Sequence, residues 1–116
     1  MKKEKRTYLL YLDDIQTAMA RIADYIKDYS FIDFKRDYKT VDAVIRNFVI
    51  IGEASKNLPI EIKSKYPQVP WEEMYLLRNK VSHEDFGVDY EIIWDVATNY
   101  LFKNKLQIDL ILDQEK

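Results

Sequence analysis

The stretch Val41-Asp42-Ala43-Val44-Ile45-Arg46-Asn47-Phe48-Val49-Ile50-Ile51-Gly52-Glu53 decides the fold. Its apolar residues recur at three- and four-residue steps, the period of an α-helix. They cover a wider arc than a surface helix needs, so a helix from about Lys39 to Asn57 belongs largely at the centre of a helical assembly. Gly52 lies inside it, where glycine costs about 1 kcal/mol relative to alanine. Close approach of a second helix is the plain reason for a glycine there. Pro59 ends the segment.

Towards the N-terminus, Leu12, Ile15, Met19, Ile22 and Ile26 repeat the same spacing, and Asp13, Asp14, Arg21, Asp24 and Lys27 take the opposite face. They predict an amphipathic helix from about Thr7 to Tyr29. Ser30 to Asp37 is a connector with room for one helical turn, and Asp33 or Asp37 can cap the next helix. Towards the C-terminus, Pro59 to Tyr66 fits a short helix and Pro67 to Pro70 a turn. Pro70 followed by Trp71-Glu72-Glu73 starts another helix, with acids in its first turn and Met74, Leu77 and Val81 as its apolar stripe. Gly87 breaks the pattern. Asp89 caps a last helix from about Tyr90 to Ile111 or beyond, carrying Ile93, Trp94, Ala97, Leu101, Leu106, Ile108 and Ile111. No stretch alternates with period two for long, and no hairpin turn dipeptide such as Asn-Gly occurs. The reading is an all-α bundle of four main antiparallel helices plus a short one, one domain over residues 1–116.

Composition narrows the chemistry. The chain has 116 residues, a net charge of −2, no cysteine and one histidine. A disulfide framework, a thiolate nucleophile and a cysteine metal site are excluded, as is a multi-histidine zinc site within one subunit. With that charge, any contact with RNA or DNA must come from a local basic patch or a subunit interface. The basic N-terminus is followed by Asp13, Asp14 and Arg21 rather than an apolar run. Neither a signal peptide nor a membrane span is expected, which points to the cytoplasm.

The single histidine closes the polar run Arg78-Asn79-Lys80-Val81-Ser82-His83. Histidine exchanges protons near neutral pH, and the arginine fork fits phosphate. Five residues apart on an ideal helix, the two side chains diverge by about 140°. They meet only if the helix ends or bends near Ser82, or if two copies bring their pairs together across a two-fold axis.

Ile50-Ile51-Gly52-Glu53-Ala54, Pro70-Trp71, Leu77-Arg78-Asn79 with His83, Phe86-Gly87-Val88-Asp89-Tyr90 and Trp94 together resemble the HepT branch of the HEPN superfamily, formerly the DUF86 domain, over nearly the whole chain. The resemblance implies a homodimeric helical ribonuclease, the toxin of a type II toxin–antitoxin system whose partner is an MntA-like minimal nucleotidyltransferase. It implies an Arg-x4-His catalytic motif formed by Arg78 and His83, with RNA as substrate and no cofactor or metal. Asn79 matches the polar residue after the arginine, where it would orient His83, contact phosphate or simply cap a helix end. Many relatives continue the motif as His-x-Tyr, and the antitoxin adenylylates that tyrosine. Here the position is Asp85, a residue better suited to a loop or cap, and Tyr90 is the next tyrosine along. Glu53 reads as a partly buried carboxylate paired with a base such as Arg46, with a supporting role in the site as the alternative. Trp71 and Trp94 read as core or interface anchors. The rival function is a HEPN module without active chemistry that binds nucleotide or docks a nucleotidyltransferase.

Overall fold

Helix α1 (Lys2–Tyr25) is where the computed structural model begins; it describes residues 2–81 and 89–116. The helix starts five residues before the expected Thr7. Its residues Leu12, Ile15, Met19 and Ile22 are fully buried, while Asp13, Asp14, Arg21 and Asp24 are exposed, as the spacing requires. The helix ends before Tyr29 because Asp28 adopts a left-handed φ of 65°, a conformation that Asp tolerates better than most residues and that turns the chain.

The connector is more structured than a single turn needs. Ser30 forms a full capping box with Asp33 and opens α2 (Phe31–Arg36). Asp37 then caps α3 (Tyr38–Asn57), accepting from the Thr40 amide at 3.2 Å and from the Tyr29 hydroxyl at 2.7 Å. Of the two expected capping acids, Asp37 therefore caps α3 and Asp33 completes the box of α2. The α3 residues Val41, Val44, Phe48 and Ile51 are buried. One flank of α3 packs on α1 and another on α5 (Trp71–Val81), which makes it the central helix. The short α4 (Ile60–Lys65) follows Pro59, and the Trp71 indole donates to the Tyr66 carbonyl at 2.9 Å at the start of α5.

The last helical stretch is not one uniform helix. It comprises α6 (Tyr90–Asp95), a π-helical turn (Val96–Tyr100) and α7 (Leu101–Glu115). The buried residues Ile93, Ala97 and Leu101 lie four apart. On an ideal α-helix such residues drift by about 40° per step, and a wider i→i+5 turn brings them back onto the core. Trp94 packs beside Phe34 and Phe31, with ring centroids 5.2 and 6.2 Å away, so it anchors α6 to α2. Helix α7 runs antiparallel to α1, since Gln16 donates to Asp109 near its middle and Tyr8 to Glu115 at its end. Its opposite face exposes Phe102, Leu106 and Leu110. Among the described residues there is no strand, and no helix is long and apolar enough to cross a membrane.

Glu115 ties three segments together. Its buried carboxylate accepts from the Tyr8 hydroxyl at 2.8 Å, from the Lys65 ammonium at 2.7 Å and from the Tyr66 hydroxyl. The Lys65 ammonium and then the Tyr66 hydroxyl lower its pKa from 4.5 to about 2. A carboxyl with a depressed folded-state pKa stabilises the fold above its unfolded value and loses that contribution as pH falls towards its folded value. Glu115→Gln is therefore expected to lower stability at pH 7 by on the order of 2 kcal/mol. The deficit should shrink as the pH falls from about 4.5 to 2. Urea denaturation of both proteins at pH 7 and pH 3 checks this; an equal deficit at both would show that the charge of Glu115 is not what stabilises.

Candidate active site

Helices α3 and α5 meet at Gly52. A Cβ built there would stand 3.1 Å from the Arg78 Cβ and 3.1 Å from the Tyr75 carbonyl oxygen. The glycine thus lets the first carbons of the Arg78 side chain rest on the α3 backbone. This is the close helix approach that a glycine within α3 predicts.

The neighbour of Gly52 completes the contact. Glu53 Oε1 forms an ion pair with Arg78 Nη1, joining the last third of α3 to the last turns of α5. The side chains are 45 % and 32 % exposed, respectively, so the pair lies at the surface of the seam. The expected partner, Arg46, is exposed and lies two turns back on the same helix. Seven residues span about 10.5 Å along a helix axis, whereas Gly52 brings Arg78 into direct contact. The Tyr75 ring adds a third element, its centroid 5.8 Å from the Arg78 guanidinium carbon. Nothing singles out Tyr75 in the sequence except its i,i+3 spacing to Arg78, which puts the two on one face of α5.

The remaining candidates are spread around this seam. Asn79 is exposed on α5 directly after Arg78. Tyr90 is the first residue of α6 and half-buried, with the Lys35 ammonium 6.0 Å from its ring centroid. It lines a cleft of about 1260 Å³ between α5 and the α6–α7 stretch, together with Phe31, Met74, Leu77, Tyr100 and Lys103. Neither Arg78 nor Glu53 lines that cleft. His83 and Asp85 lie outside the described residues. Among the described residues no group of three or more His, Cys, Asp or Glu side chains gathers in a way that would hold a metal ion.

The chain has a match among known protein families. The family model described as Ribonuclease HepT-like covers residues 15–111, which takes in α3, α5 and the whole Arg78–His83 run.

The chain belongs to the HepT-like ribonuclease family.

Individual relatives agree. The chain is 46 % identical over 90 residues to a Thermococcus cleftensis protein named "Probable ribonuclease HepT", covering 78 % of this chain and 82 % of that one. It is 45 % identical over 111 residues to an RNase-named protein of Methanocaldococcus jannaschii, covering 96 % and 89 % of the two chains. An RNase-named protein of Caldanaerobacter subterraneus is 40 % identical over 106 residues, covering 91 % and 95 %. No solved structure matches the chain.

The contact at Gly52 is directly testable. Valine there would press its Cβ and two further methyl groups against the Tyr75 carbonyl and the Arg78 side chain. Overpacking of this kind costs about 1–3 kcal/mol. Gly52→Val is expected to unfold at a midpoint lower by roughly 4 °C or more. A thermal midpoint equal to that of the wild type would show that α5 does not rest on this glycine.

Proposed function

We propose that this HepT-like chain is an endoribonuclease toxin of a type II toxin–antitoxin system. In this reading it acts in the cytoplasm as a homodimer, cleaves RNA without a metal through Arg78 and His83, and is held in check by a minimal nucleotidyltransferase. The observation that carries the reading is the placement of Arg78. A guanidinium anchored to a rigid helix seam, five residues before the only histidine of a HepT-like chain, suits phosphodiester cleavage.

The reaction that uses only such groups is internal transesterification. His83 of one subunit accepts the 2′-hydroxyl proton, and the 2′-oxygen attacks the adjacent phosphorus. The bond to the 5′-oxygen breaks, and His83 of the second copy supplies the proton to that leaving group. The products are a 2′,3′-cyclic phosphate and a 5′-hydroxyl. Positioned acid–base groups of this kind contribute typically 10²–10⁴-fold. Arg78 binds the non-bridging oxygens and stabilises the charge that builds on them in the transition state. Asn79 directs His83 or donates to the phosphate, and Lys80 adds a positive charge to the motif. A homodimer supplies two histidines where one subunit has a single one. Neutralisation through tyrosine adenylylation is not available at Asp85 and would need another acceptor, of which Tyr90 is next in the chain.

Purified protein incubated with total tRNA and mRNA should produce fragments ending in 2′,3′-cyclic phosphate, with undiminished rate in EDTA. Arg78→Ala and His83→Ala should each lower the rate by about 10² or more and relieve growth inhibition on expression. Cleavage abolished by EDTA would remove metal independence from the reading. Intact RNA with a folded wild-type dimer would instead favour a partner-docking module.

A further inference from the structure

We infer that Glu53 is the positioning residue for Arg78: from the neighbouring helix, its carboxylate sets the direction in which the guanidinium meets a phosphate. The inference rests on the ribonuclease reading of Arg78 and assigns a second helix to the site.

Arginine has four side-chain torsions, and free of contacts its fork samples many directions. Three features of the seam restrict it. The Gly52 backbone lies against Cβ and Cγ of Arg78, with 3.1 and 3.4 Å to the position of a Cβ, which fixes where the side chain leaves α5. The Tyr75 ring stands 5.8 Å from the guanidinium carbon. The Glu53 carboxylate holds Nη1 at the far end. Glu53 is well anchored for this task, because it follows Gly52 on the central helix, whose adjoining residues Ile51, Gly52 and Ala54 are buried.

The magnitudes favour positioning over stability. An ion pair between side chains 45 % and 32 % exposed is of the kind that contributes about 0–1 kcal/mol to folding. Orientation of a transition-state contact is worth far more, since displacement of a reacting group by about 1 Å can cost as much as 10²-fold in rate. The pair also tempers the charge of the site. A lone arginine at this surface would attract any polyanion, whereas Arg78 with Glu53 is neutral as a pair. Phosphate recognition then depends on the geometry of the fork rather than on net charge.

The test uses full-length protein and a labelled single-stranded oligoribonucleotide of mixed sequence that the wild type cleaves. Glu53→Gln preserves size and one acceptor oxygen but removes the charge. It is expected to lower kcat about tenfold, to leave KM within about twofold, and to melt within a few degrees of the wild type. Glu53→Asp, which restores the charge on a shorter arm, should recover part of the loss. In an Arg78→Lys background, Glu53→Gln should have no further effect, because it acts only through the guanidinium. Full activity of Glu53→Gln, or a loss that simply adds to that of Arg78→Lys, overturns the inference. Undiminished cleavage by Arg78→Ala overturns the ribonuclease reading beneath it, so the two failures are told apart.

Discussion

The interaction on which the rest depends is the backbone-close contact of α3 with α5 at Gly52. Without a side chain at that position, α5 can seat its Trp71–Met74–Leu77 face in the core while the stem of Arg78 lies flat on α3. The same contact places Glu53 at the guanidinium. One glycine therefore serves both packing and the geometry of the proposed catalytic arginine. The roughly 1 kcal/mol that glycine costs within a helix is offset by burial of three large apolar side chains, each worth about 1.5–3 kcal/mol.

The helical architecture is largely legible in the residues. Period and caps locate α3, α5 and the start of α6 because Asp37, Pro70 and Asp89 are strong local signals that tertiary packing has no reason to override. The ends of α1 and the π turn are not legible. The start of α1 is polar and carries no cap motif, and the π turn arises from a conflict between a four-residue apolar spacing and the α-helical period, which shows only when the core partner is known. In the site, Arg78 stands out by chemistry, and Gly52 by its position in a helix. Arg46 looks like the partner of Glu53 because same-helix spacing is visible in a sequence, whereas the true neighbour, Arg78, lies across a helix seam. Tyr75 is hidden for the same reason.

Two carboxylates show how environment separates roles. Glu115 is buried at the end of α7, takes three donors, and has its pKa lowered to about 2. It locks the first and last helices to the α4 segment and belongs to stability. Glu53 is half-exposed and forms its ion pair across the seam. It is too solvated to hold the fold together, yet close enough to direct a single cation.

The π turn at Val96–Tyr100 fixes the phase of everything after it. It holds one residue more than the α-turn it replaces. Winding the same residues as an α-helix would rotate α7 by about 100° and swing Leu112 out of the core to the place of the exposed Asp113. The Gln16–Asp109 and Tyr8–Glu115 bonds would fall out of step together. The turn thus absorbs one residue: a deletion within those five residues restores an α-turn and keeps the phase of α7, whereas the same deletion within α7 itself shifts every residue after it. This short segment acts as the spacer that sets the reading phase of the C-terminal third.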